Sequence, residues 1–155
     1  SAILVRRGNP KRIGGLRDLL KPGHRVLVVH GAGQVGLWED LVGQIGDIDA
    51  VRKLRSNIVA FAATSAEAQS VWTARPDIDA WIVWNVWGVN DRTAGDLVPV
   101  EADLRIYRDT GLAFTRRGSG DRKARAFADF LESSAGKAIF ARHGWIERAP
   151  PEPHD

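Results

Sequence analysis

Three stretches of the chain stay apolar over the length of a strand: residues 26–29 (VLVV), 57–63 (NIVAFAA) and 79–87 (DAWIVWNVW). Such runs lack the in–out alternation of a half-exposed strand and match strands covered on both faces. Between them the apolar period changes. Leu37, Leu41 and Ile45 recur every fourth residue, and Ile48, Val51 and Leu54 every third. Ala68, Val71 and Trp72 line one side of a further helix that should end before Pro76. Strands alternating with helices predict an α/β fold built on a largely parallel sheet.

The flanking segments are shorter. Residues 2–5 (AILV) read as a strand, closed by a turn cluster that runs to Pro10. Residues 15–20 make a short helix stopped by Pro22 and Gly23, and residues 97–100, 104–108 and 111–115 read as strand pieces. The last part is helical. Ala124, Phe127 and Leu131 give one stripe, and Ser133 or Ser134 caps a second helix through His143. Gly144 falls where a left-handed helix stop belongs, with Trp145 and Ile146 placed to pack back. Residues 148–155 (RAPPEPHD) carry three prolines and no apolar pattern, which predicts a disordered tail.

The chain is organised around residues 25–45. A buried strand feeds a loop containing Gly31, Gly33 and Gly36, and a helix opens near Gly36. That arrangement makes a nest of free backbone N–H groups with the positive end of a helix dipole behind it. After the next strand, Thr64 and Glu67 have the S/T-x-x-E spacing of a capping box, so a second polar helix start follows a second strand. In open α/β sheets ligands sit beyond the carboxyl ends of the strands. Three successive strand ends carry Gly33, Gln34 and Val35, then Ser65 and Ala66, then Trp84 and Asn85, which together offer neutral donors to an anion. Glu39 and Asp40 follow the glycine loop and belong on the solvent face. Of the strand tryptophans, Trp81 and Trp87 share one face while Trp84 takes the other. Asn85 either locks the sheet end to a loop or touches a ligand.

Two other readings of the glycine loop stand beside this one. Gly31, Gly33 and Gly36 match G-x-G-x-x-G, the dinucleotide fingerprint of an oxidoreductase. That chemistry needs an acid at the end of the second strand, whereas Asp47 and Asp49 precede that strand and Ala63 and Thr64 end it. Alternatively the glycines only make a tight turn in an interaction module that binds no small ligand.

Charge and composition remove several classes. With 22 basic and 19 acidic residues the formal charge is only +3, and basic pairs such as Arg6–Arg7 and Arg116–Arg117 stand apart, so no nucleic-acid stripe forms. Cysteine is absent, which excludes thiolate metal sites and cysteine nucleophiles. His24, His30, His143 and His154 lack metal-ligand spacing, and G-x-S-x-G does not occur. No metal, cofactor or catalytic residue is expected, and the chain reads as non-enzymatic. No apolar run approaches the ~20 residues of a membrane span. A chain that opens directly on a strand, with neither methionine nor leader, reads as processed or cut from something longer.

The segments ILVRRGNP, VLVVHGAGQVGLWEDLVG, DAWIVWNVW, RIYRDTGLAFTRRG and FADFLESSAGKAIFARHGW resemble the accessory colonisation factor group of extracytoplasmic solute-binding proteins. That group is similar to the molybdate-binding proteins of ABC importers. The resemblance implies a type II periplasmic-binding architecture, with two α/β lobes clamping an oxyanion of the molybdate, tungstate or sulfate kind. It implies that residues 1–7 cross between lobes and 8–103 form lobe two. Residues 104–148 would then return and complete part of lobe one, with 149–155 as the tail. Ligand contacts would come from Gly33, Gln34, Val35, Ser65, Ala66, Trp84 and Asn85, where molybdate-binding relatives often carry a tyrosine after the strand. Tyr107 and Arg108 would add to them from the returning segment. An ABC permease would be the partner, the periplasm the location, and a homodimer or domain swap the consequence of an incomplete lobe one.

Overall fold

The computed structural model describes residues 1–31 and 33–147. The expected disordered tail, residues 148–155, lies outside the described residues. The chain divides into two compact units, Ser1–Ile106 and Tyr107–Asp155.

The first unit is an α/β layer structure. Its strands are β1 (Ala2–Val5), β2 (Val26–Val29), β3 (Ile58–Ala62), β4 (Ala80–Val83) and β5 (Asp96–Pro99), in the spatial order β3-β2-β4-β1-β5. Its helices are α1 (Leu37–Gly43), α2 (Ile48–Asn57), α3 (Ser65–Ala74) and the short α4 (Val86–Asn90), with 3-10 turns at Arg17–Leu20 and Ala102–Leu104. β1, β2 and β4 are buried at every position, as their unbroken apolar runs require. Odd and even positions feed opposite faces. Ile3, Val5, Val26, Val28, Ala80 and Ile82 pack with Leu41 of α1 and Leu54 of α2. Leu4, Leu27, Val29, Trp81 and Val83 pack with Ala68 and Trp72 of α3. The expected α/β class holds.

The sheet is mixed rather than largely parallel. β2 runs parallel to β3 and β4, while β1 lies antiparallel to both its neighbours, with Ala2 opposite Val83 on one side and Pro99 on the other. An apolar run fixes burial, not direction. The third strand is also shorter than expected. β4 stops at Val83, and Val86 to Asn90 turn into α4. Trp87 nonetheless meets Trp81, with ring centroids 5.9 Å apart, and Trp84 packs on the opposite cluster, so the faces fall as expected. Arg6 fastens this side of the unit. Its guanidinium donates to the carbonyls of Ile78 (2.7 Å), Trp72 (3.0 Å) and Arg75 (2.6 Å) and stacks 3.5 Å from the Trp72 ring.

The strand pieces expected at 104–108, which straddles the boundary between the units, and at 111–115 in the second unit do not form. Residues 105–117 have neither helix nor strand, and Tyr107, Leu112 and Phe114 are exposed. Their alternation suits a strand, but beyond Ile106, which bonds Ser1, no described strand pairs with this segment. The helices are α5 (Arg122–Glu132) and α6 (Ser134–Arg142). Asp121 caps α5 by accepting from the Lys123 amide at 2.7 Å, and the Ser133 hydroxyl caps α6 by accepting from Gly136. α6 closes on Gly144, whose φ is +88°. The Trp145 amide reaches the Phe140 carbonyl and the Gly144 amide that of Ala141, while the Trp145 ring packs edge-on against Phe140.

Candidate functional site

Because β3, β2 and β4 are parallel and adjacent, their carboxyl ends open onto one rim. Two side-chain bonds tie these ends together. The Gln34 amide nitrogen, from the loop after β2, donates to the Ser65 hydroxyl at the start of α3 (2.8 Å). The Trp84 indole N–H, just past β4, donates to the Gly33 carbonyl (3.2 Å). Gly31 lies so close to the end of β3 that a Cβ there would stand 2.5 Å from the Ala63 carbonyl oxygen. Gly33 and Gly36 adopt φ of +82° and +75°. The glycine spacing therefore follows from chain geometry alone.

Part of the nest expected at the glycine loop is closed, while no hydrogen bond among the described residues uses the Gly33 and Val35 amides. The Gln34 main-chain amide is taken by the Gly31 carbonyl (3.0 Å), and the Gln34 carbonyl accepts from Leu37. Gly36 is the left-handed N-cap of α1, and the Asp40 carboxylate lies over it, 3.5 Å from where a Cβ would stand. A carboxylate at that place answers the helix dipole from within. Glu39 and Asp40 are exposed, as expected.

The start of α3 differs. Thr64 is its N-cap and accepts from the Glu67 amide (3.1 Å), while the Glu67 carboxylate reaches back to the Ala63 amide (2.8 Å). Those bonds leave Ser65 and Ala66 as the first two residues of the helix. Their amides have no intrahelical acceptor, and no hydrogen bond among the described residues uses them. Ser65 is half-buried and its hydroxyl is already a partner of Gln34.

The expected contact residues thus separate into groups. Ser65 and Ala66 present open donors. Gln34 reaches the rim through its side chain rather than its main chain. Trp84 spends its indole N–H on Gly33 and acts as a staple. Asn85 is the half-buried N-cap residue of α4 and makes an interaction of its own, and the Val35 side chain is 68% exposed. Tyr107 and Arg108 belong to the second unit, where both are exposed. Sequence reasoning named Gln34 but not the bond of its side chain to Ser65. The available signal was a long amide in a loop of otherwise small residues. Among the described residues no cluster of His, Asp and Glu is suited to a metal ion, and no helix is long and apolar enough to cross a membrane.

The family model for bacterial extracellular solute-binding proteins matches residues 1–146. The chain belongs to this family. Among solved structures, L-phospholactate-bound PEB3 matches with a TM-score of 0.82 at 34% identity, over 95% of this chain and 64% of that one. A glycosylated PEB3 variant gives 0.80 at 34%, and Peb3 from Campylobacter jejuni 0.79 at 33%. This solute-binding chain thus spans 64% of the length of the PEB3 chains it matches. No curated protein matches it. Membership in a solute-binding family accords with a rim that presents hydrogen-bond donors to a small molecule.

Proposed function

We propose that the protein captures a small oxyanion outside the cytoplasm, in the periplasm or another extracytoplasmic space, and delivers it to an ABC permease. The observation that carries this reading is the open start of α3, where the Ser65 and Ala66 amides and the Ser65 hydroxyl meet the ends of β2 and β4. An anion there is held by dipoles rather than by counter-charge. The ligand of PEB3, phospholactate, combines a phosphate and a carboxylate, and either group suits such donors.

In the same reading, residues 8–103 are one lobe of a two-lobed binding protein, with 1–7 and 104–148 as the crossings and part of the other. Support comes from the second unit, in which Ala128 and Gly136 are the only buried residues among those described. Phe127, Phe130, Ile139 and Ile146 are exposed at 58, 44, 38 and 56%. An apolar surface of that extent calls for cover, by further chain or by a second copy. Donors from the covering lobe would complete the site, so the 155-residue chain alone binds weakly.

Isothermal titration of the whole protein with sulfate, molybdate, tungstate, phosphate and phospholactate, and with NADH as a contrast, tests the proposal. Saturable heat with at least one oxyanion and none with NADH is expected. Heat with NADH alone would overturn it in favour of a dinucleotide site.

A further inference from the structure

The formal charge of +3 is not spread over the chain. Residues 107–125 hold six basic and two acidic side chains, a net +4, which leaves 16 of the 22 basic and 17 of the 19 acidic residues elsewhere, a net −1. The excess therefore sits in one stretch of the second unit. Arg116, Arg117, Arg122 and Lys123 are exposed, and among the described residues none of them makes an ion pair. Exposed cations of the first unit, such as Arg17, Arg25 and Arg52, each face a carboxylate.

The unpaired cations stand on a folded turn. The Ser119 amide donates to the Thr115 carbonyl (2.9 Å), the Gly118 amide to Thr115 Oγ1 (3.0 Å) and the Asp121 amide to the Gly118 carbonyl (3.1 Å). The Ser119 hydroxyl reaches the Arg116 carbonyl and Arg125 Nε the Ser119 carbonyl, each at 2.8 Å. The Asp121 carboxylate is engaged as the cap of α5, accepting from the Lys123 and Ala124 amides. A 3-10 turn rises ~2 Å per residue, so the two basic pairs stand within roughly 10 Å, about one Debye length, and act on a surface together. Adjacent unpaired cations are costly to desolvate, so the cover that the apolar residues of α5 and α6 call for does not extend over this turn. Leu112 and Phe114, 52 and 44% exposed, lie just before it.

We infer that this turn is a docking surface for an anionic phospholipid bilayer, with Arg116, Arg117, Arg122 and Lys123 against the headgroup phosphates and Leu112 and Phe114 as apolar companions at the interface. Charge complementarity carries the first half of the choice, since unpaired cations attract the phosphates of a nucleic acid or of a bilayer. The exposed apolar pair carries the second, because a bilayer also takes up aliphatic and aromatic side chains between the cations. Such contact holds a solute-binding chain beside the membrane in which a permease lies. The inference uses none of the rim residues, so its failure leaves the oxyanion reading untouched.

The test is co-sedimentation of the whole protein with vesicles of phosphatidylglycerol and phosphatidylcholine in equal parts, and with vesicles of phosphatidylcholine alone, at low and at physiological salt. Binding to the mixed vesicles that weakens with salt, and none to phosphatidylcholine, is expected. A cation near an anionic leaflet contributes about fivefold. Arg116→Gln should therefore cost about fivefold, and the same change at Arg116, Arg117, Arg122 and Lys123 together on the order of several hundredfold. All four positions are exposed, so the melting temperature should hold. Leu112→Ser with Phe114→Ser should weaken binding and leave its salt dependence in place. Arg52→Gln with Lys53→Gln, equally exposed on α2, should change it little. Inorganic phosphate should release the protein no more than sodium chloride of equal ionic strength does, which separates a bilayer from a free-phosphate site. Sedimentation with neither vesicle, equal binding to both, undiminished binding by the fourfold variant, selective release by phosphate, or a preference for a random DNA duplex over the mixed vesicles would each overturn the docking surface.

Discussion

The two units differ in what holds them together. In Ser1–Ile106 both faces of the sheet are covered, and side chains as large as Trp81, Leu54 and Ile82 are 1% exposed or less. From Tyr107 onward, two well-capped helices carry their large apolar side chains in the open, around a shallow apolar groove of about 230 Å³ lined by Phe130, Phe140 and Trp145. Local signals alone can define a helix and its ends. They cannot stabilise a pair of helices that bury so little, since tertiary packing supplies most helical stability. The first unit is therefore expected to carry the cooperativity of the chain and the second to depend on what covers it.

That contrast can be broken by mutation. Trp81→Ala should destabilise by about 3–5 kcal/mol in guanidinium unfolding, as a large core truncation does. Arg6→Met removes the donor from three carbonyls of the first unit and should cost about 2–3 kcal/mol. Gly136→Ala would place a Cβ 2.3 Å from the Phe130 carbonyl oxygen. Amide exchange should then lose protection in α5 and α6 and keep it in β2 and β4; loss in both would mean that the units open together. Asp77 gives a smaller effect, set by pH. Hydrogen bonds from Arg75 and Arg25 lower its pKa to about 2 from 3.8. The folded state is favoured fully above pH 3.8, and that contribution fades as the pH falls toward 2. Asp77→Asn should therefore differ from the parent at pH 5 and converge with it near pH 2, the difference shrinking in salt because the site is exposed. Phe127→Ala, at a position 58% exposed, should change stability by less than about 0.5 kcal/mol. A cost near that of Trp81→Ala would erase the distinction between the units.

Much of this fold is local enough to read from residues. β1, β2 and β4 announce themselves because strands buried on both faces need unbroken apolar runs, whereas β3 has the same apolar run but lies at the sheet edge, only partly buried and with Phe61 exposed, contrary to the expectation for residues 57–63. The caps at Asp47, Thr64, Asp121 and Ser133 and the stop at Gly144 are set by a few neighbouring residues. What escaped the sequence depends on remote partners. The direction of β1 is decided by pairing with β4 and β5, to which apolar runs are blind. The end of β4 was obscured because Trp84 and Trp87 must still pack after the strand has stopped. Segment 104–115 has strand-like alternation, but only its start is held, by Ser1 on Ile106, and from Tyr107 to Thr115 it forms no strand. At the rim, sequence placed the glycine loop foremost because its glycines are conspicuous. The Asp40 carboxylate over Gly36 and the Gln34 amide bonded to Gly31 close part of that loop by contacts within four residues, whereas the Gln34 side chain reaches Ser65 across the sheet end, a tertiary contact that the sequence does not display.

The central claim is that the start of α3, not that of α1, offers its amides to an anion. An amide chemical-shift titration of the ¹⁵N-labelled whole protein with sulfate and with phospholactate addresses it most directly. The account predicts saturable shifts that are largest at Ser65 and Ala66, with smaller ones at Gly33 and Val35. Shifts centred on Leu37 and Trp38 at the start of α1, with Ser65 and Ala66 unmoved, would contradict it.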